Sequence, residues 1–113
     1  MHEMSLAEGM LGIVEESARA NDARRVTAVW LEIGTLAQIE REALCFCFDA
    51  VTRGSLAEGA RLEIVDVPGA AWCMPCAARV DIAAIGDACP RCGSYQLQVV
   101  AGNDMRIREI AIE

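Results

Sequence analysis

Histidine occurs once in the 113 residues, at position 2, and aromatic residues make up only 4% of the chain. Each shortage excludes something. With one imidazole and no nucleophile beside an evident base, the chain offers no hydrolytic machinery, which needs both groups within reach of each other. It reads as a protein that is not an enzyme. With so few aromatics it cannot lay out a broad base-stacking surface. Bases are also scarce: 10 Lys and Arg face 17 Asp and Glu, for a net charge of −7. That balance argues against nonspecific phosphate binding, which needs a basic footprint. No window approaches the ~18 uninterrupted apolar residues of a membrane span. The opening stretch, MHEMSLAEGMLGIVEE, lacks a basic leader and carries glutamates through its apolar part, so no secretory signal is read there. A cytoplasmic setting is expected, where disulfides are rare and paired cysteines serve as metal ligands or redox groups.

At 54% hydrophobic residues, a chain of 113 can bury a modest core, enough for one domain with a small attached module. Ser5 to Ala20 reads as a helix. Ser5 and Glu8 have capping-box spacing, and Leu6, Met10, Ile13, Val14 and Ala18 form an apolar stripe. Residues 24–34, RRVTAVWLEIG, read as a strand that is nearly continuously apolar and therefore central in its sheet. A second helix is predicted from Gln38 to Thr52, with Ile39, Ala43, Phe46, Cys47 and Ala50 on one face. Residues 60–68 read as a second strand, and Pro68 and Gly69 mark a boundary. The tail reads as two strands joined near Gly102 and Asn103, a hairpin-like signal. Its apolar phase changes near Arg108, as a bulge or twist would require.

Four of the six cysteines fall between residues 70 and 95. CMPC supplies Cys73 and Cys76, CPRC supplies Cys89 and Cys92, and twelve residues separate the pairs. In each pair a tight turn can aim both sulfurs at one point. Four thiolates at this spacing suit one tetrahedral ion, with zinc as the default and a rubredoxin-like iron site using the same donors. Such a shell leaves no open coordination position, so the site is structural. Gly93 allows the second turn to close with positive φ, and Pro75 and Pro90 stiffen both. Cys45 and Cys47 lie on different faces of the second predicted helix and read as small, often buried hydrophobes.

The lone histidine invites a separate reading. The α-amine of Met1, the amide nitrogen of His2 and its imidazole can form fused chelate rings around one metal. A deprotonated amide favours ions that reward planar nitrogen donors, Ni(II) or Cu(II), over Zn(II). Glu3 could complete the shell through its amide or carboxylate, and Glu40 is a second nearby carboxylate. The plainer reading is an exposed terminal side chain with no role.

MHEMS at the start, LEIG at 31–34, the two cysteine pairs, and GNDMRIREIAIE at the end occur in one order. In that combination the chain resembles, over its whole length, the HypA family of hydrogenase nickel-incorporation proteins. The resemblance implies an α+β fold: two helices packed on a small mixed β-sheet, with an inserted zinc-ribbon-like module. Residues 1–69, completed by the C-terminal strand 100–113, would form the nickel-binding domain, and 70–99 the zinc module. His2 and Glu3 match the family's nickel-binding start, with Met1 supplying the amine. Glu40 matches by position and acidity, and Cys73, Cys76, Cys89 and Cys92 match the zinc ligands. The implied role is a metallochaperone that helps deliver Ni(II) to the maturing large subunit of nickel–iron hydrogenase, with a HypB-type GTPase as partner. Some members also serve urease maturation.

Two other readings share the cysteine quartet. A zinc-ribbon nucleic-acid or transcription module would need a basic face, whereas residues 70–95 hold only Arg79 and Arg91 as bases. A thiol oxidoreductase would need thiols that stay reactive when metal is bound.

Overall fold

The computed structural model describes residues 2–113. Along the chain run α1 (His2–Ala20), β1 (Val26–Gly34), α2 (Arg41–Thr52), β2 (Arg61–Val67), β3 (Ala70–Cys73), β4 (Ala78–Asp81), β5 (Leu97–Ala101) and β6 (Met105–Ile112). Strands in the order β2-β1-β6 form one sheet, and β4-β3-β5 form a second. The class is α+β, as expected. Two compact units divide the chain: Met1–Leu31, Ile39–Ile64 and Ile107–Glu113 make the first, and Glu32–Gln38 with Val65–Arg106 the second. No helix among the described residues is long and apolar enough to cross a membrane.

In the first unit α1 packs on α2. α1 buries Ala7, Met10, Val14 and Ala18, a stripe at three- and four-residue steps. The helix starts at His2 rather than Ser5, so Ser5 lies inside the first turns and does not cap them. Ile13 is left 59% exposed. At ~100° per residue it sits about 100° round the helix from the centre of the buried stripe. α2 begins at Arg41, with Glu40 as its N-cap, and buries Leu44, Cys47, Phe48 and Thr52. Phe46, expected on the buried face, is 72% exposed. Two aromatics at positions 46 and 48 lie some 200° apart on a helix, so only one can face the core. Packing chooses Phe48. Cys47 is buried, as a small hydrophobe would be, whereas Cys45 is exposed. Partial burial and the charge of Glu42 hold the Cys45 thiol above its usual range, so it is a poor nucleophile.

β1 is the central strand of its sheet, as its apolar run predicts. Val26, Ala28, Val29, Leu31 and Ile33 are all buried there. In β6 the inward phase changes where Arg108 and Glu109 are both exposed, at the position expected from the sequence.

The second sheet is antiparallel, with Trp72 opposite Arg79 on β4 and Gln98 on β5. Here the expected hairpin is corrected. β5 pairs with β3, and β6 pairs with β1, so the two tail strands belong to different sheets. The chain does turn at Gly102 and Asn103, but the turn has another role. Gly102 has φ +81°, and a Cβ there would come within 2.6 Å of the Gly69 Cα. The Leu36 N–H donates to the Gly102 carbonyl at 2.8 Å, and the Gly34 N–H donates to that of Asp104 at 2.8 Å. Those bonds fasten residues 102–104 to segment 34–36 instead of closing a hairpin.

Candidate metal centre

Both cysteine pairs lie in the second unit. Cys73 ends β3 and pairs in register with Ala78, the first residue of β4, so the first pair rides on the β3–β4 connection. The Ala77 N–H donates to the Met74 carbonyl at 3.3 Å. The Met74 N–H donates to the Gln96 carbonyl at 3.0 Å, tying this turn to the chain entering β5. The second pair closes through the Gly93 N–H donating to the Cys89 carbonyl at 2.8 Å. The Arg91 N–H donates to Cys89 Sγ at 3.4 Å.

Gly93 has φ +77°, as the turn requires, but the first turn places an alanine, Ala77, at φ +49°. A Cβ in the left-handed region costs about 1–2 kcal/mol. Ala77→Gly is therefore expected to raise stability by about 0.5–1 kcal/mol, after the larger unfolded-state entropy of glycine is subtracted. Gly93→Ala should change stability in the opposite direction. Denaturant midpoints of the metal-loaded proteins check both signs.

The four sulfurs of Cys73, Cys76, Cys89 and Cys92 lie within 4.8 Å of one another. Cys73 and Cys92 Sγ atoms are 3.6 Å apart, and those of Cys76 and Cys89 are 4.0 Å apart. A metal–sulfur bond of ~2.3 Å in a tetrahedron implies sulfur–sulfur edges of about 3.8 Å. The donors present therefore fit one tetrahedral ion, and the module is zinc-ribbon-like.

Three of the thiols are shifted, two against ionisation and one towards it. The thiols of Cys92 and Cys73, then burial, push Cys76 up to about 12. Burial also raises Cys73. At Cys89 burial opposes ionisation, but the amides of Cys92 and Arg91 and the thiols of Cys73 and Cys92 outweigh it and bring the group down to about 6. One thiolate is stabilised by amides and neighbouring S–H groups. A bound cation would take the place of the remaining protons.

The ligands are also core. Cys73 and Cys89 are buried in a cluster with Leu36, Ala71, Val80 and Ile82. Leu36 had no signal in the sequence that tied it to the cysteines. Neither did the Arg91 amide, which acts through the backbone.

The residues at the chain start are arranged differently. Met1 lies outside the described residues. His2 is exposed at the beginning of α1. Glu3 is half-buried, and its Oε2 accepts a hydrogen bond from the Glu40 N–H at 3.4 Å. That contact joins the first turn of α1 to the N-cap of α2 across 37 positions of sequence. Glu40 is exposed, and its own side chain makes no capping bond. The first amides of an α-helix have no intrahelical acceptor. The nitrogens of His2 and Glu3 are therefore not needed by the helix.

A family model described as hydrogenase/urease nickel incorporation, metallochaperone, HypA matches residues 1–112. The chain is 61% identical to hydrogenase maturation factor HypA of Azotobacter chroococcum over 113 residues, which is 100% of each chain. The same identity and coverage relate it to the protein of that name from Azotobacter vinelandii. Among solved structures, it is similar to a solution structure of HypA protein, with a TM-score of 0.77, 25% identity, and coverage of 100% of this chain and 97% of that one. The fold is also like that of the Ni metallochaperone HypA from Helicobacter pylori, at TM-score 0.71 and 24% identity, covering 97% of this chain and 96% of the other.

Proposed function

The chain belongs to the HypA family of hydrogenase/urease nickel-incorporation metallochaperones, and on that premise we propose that it captures Ni(II) at its amino terminus and passes it to the maturing large subunit of nickel–iron hydrogenase. The family is one of maturation factors, not enzymes. In this reading Met1, His2 and Glu3 hold the nickel, and Glu40 stands beside them. Cys73, Cys76, Cys89 and Cys92 hold a structural zinc. Nickel handling belongs to 1–69 with 100–113, and zinc binding to 70–99. A HypB-type GTPase and the hydrogenase large-subunit precursor are the partners, with urease maturation proteins as further ones, and the cytoplasm is the setting.

The observation that carries this reading is the contact between the Glu3 carboxylate and the Glu40 amide, at the end of α1 where His2 is exposed. It ties the Glu3 carboxylate to the backbone of Glu40, at the end of α1 where the imidazole of His2 and helix amides without intrahelical acceptors are found. Such a site is open, and openness suits a cargo that must leave. The donor sets divide the labour. Nitrogen donors with an ionisable amide reward Ni(II), whereas four thiolates in a closed tetrahedron suit Zn(II). Zinc supplies no chemistry to the transfer. It holds together a unit whose own core is small.

Protons compete with nickel for the imidazole and the amine. An α-amine is ordinarily half-protonated at ~7.7–8.0, so that group alone should weaken nickel binding at least about tenfold between pH 8 and pH 6. Calorimetric titration of the untagged, zinc-loaded protein at several pH values tests this. Affinity that stays flat across the range would rule out the terminal ligand set.

A further inference from the structure

The turn after β4 has an unusual surface. Ala83, Ala84, Ile85 and Gly86 are all exposed, Ile85 at 59%. Exposed turns are ordinarily built from side chains that hydrogen-bond to backbone or water. Here one residue does that for the whole turn. Asp87 Oδ2 accepts from the Ala83 N–H at 3.1 Å and from the Ala84 N–H at 3.0 Å. The Asp87 N–H in turn donates to the Ala84 carbonyl at 3.2 Å. The turn is held closed, and Ile85 stands out on it with little loop freedom left to lose on binding.

Ile85 also lines two cavities within the second unit. One, of about 190 Å³, has an apolar wall of Ile82, Leu97 and Val99 and is completed by Tyr95 and Asp87. That is below the ~300–1,000 Å³ of small-molecule sites and leaves room for one large apolar side chain. The other, of about 470 Å³, offers the neutral hydrogen-bonding groups of Thr35, Gln38 and Asn103. Such groups suit a peptide backbone. No base lines either cavity, and the one charged lining residue is Asp87. A site without cations does not fit an anionic ligand. A second copy of a chain carrying −7 would meet like charge. What fits is a segment of opposite charge with an apolar side chain to insert.

We propose that the Asp87-held turn around Ile85 is a docking site for an apolar-and-basic segment of a partner protein. The proposal is independent of where nickel binds. Its test uses the full zinc-loaded chain and two synthetic amphipathic peptides, one carrying leucines with lysines and arginines, the other the same leucines with glutamates. Amide NMR should show the basic peptide shifting residues 82–87, Tyr95 and Val99, and the acidic peptide leaving them unmoved. Ile85→Ser, at an exposed position that leaves the fold intact, removes the apolar contact without adding charge and should weaken the basic peptide roughly tenfold or more. Asp87→Asn keeps an acceptor for both amides and should lessen the salt dependence. Equal binding by the Ile85→Ser protein would overturn the proposal. So would peptide shifts confined to another surface, or the same residues shifting when the protein alone is concentrated, which would make a second copy the occupant.

Discussion

Replacing any one of Cys73, Cys76, Cys89 or Cys92 by alanine should cost the chain its structural metal and with it the order of the β4-β3-β5 sheet. A structural zinc site contributes on the order of 10 kcal/mol to folding. Whole small domains are stable by only ~5–15 kcal/mol. The second unit has little with which to replace that contribution. Its buried cluster is Leu36, Ala71, Val80 and Ile82 with two of the ligands themselves, Cys73 and Cys89. Without the ion nothing draws the four sulfurs to one point. Metal analysis should give about one zinc per chain in the parent and much less in each variant. Hydrogen exchange should show fast amides in 70–101. Zinc added to the metal-free protein at pH 7 should also release protons, because Cys73 and Cys76 hold theirs above the usual thiol range. Calorimetry in buffers of different ionisation enthalpy reads that release. Four single variants with full zinc and unchanged melting would show that the thiols are not the ligands.

His2→Ala should abolish tight nickel binding while leaving zinc content, secondary structure and melting as they are. His2 is exposed, so its removal opens no cavity. Extending the chain ahead of Met1 should have a similar effect by a different route, since it turns an amine into a peptide amide. The two changes remove different donor atoms, so a shared loss would locate the metal at the terminus rather than merely near the imidazole. Glu3→Gln gives a finer distinction. It keeps an oxygen that can accept from the Glu40 N–H but removes a charge, so a small loss of affinity with an intact fold is expected. In a cell that depends on this protein, hydrogenase in the His2→Ala strain should accumulate without nickel in its large subunit. Added nickel should restore part of the activity, because mass action can stand in for delivery. Normal nickel affinity together with normal hydrogenase maturation in that strain would sink the terminal site.

Much of this protein is legible in its residues alone. The paired cysteines are a local signal. Two residues between thiols force a tight turn, and that turn aims both sulfurs whatever the rest of the chain does. The nearly unbroken apolar run of β1 could be satisfied only by burial on both faces, which makes the strand central. The order of short motifs along the chain carried the family.

Other features depended on packing. Phe46 and Phe48 have equal claims as hydrophobes, and tertiary packing turned Phe48 inward and left Phe46 exposed. The tail strands bracket a convincing turn, yet pairing is a competition among all strands, and β3 and β1 offered better partners than β5 and β6 offered each other. Ala77 took a left-handed conformation that its side chain disfavours, because the closure of the first cysteine turn demanded it. Leu36 joined the core of the cysteine unit, and Glu3 reached Glu40, across separations that no window of sequence spans. By itself the sequence determined the features that neighbours along the chain dictate: turns, ligand spacing and the burial of long apolar runs. The tertiary structure decided which of several adequate faces, partners and contacts was used, since that choice depends on the summed packing of segments far apart in sequence.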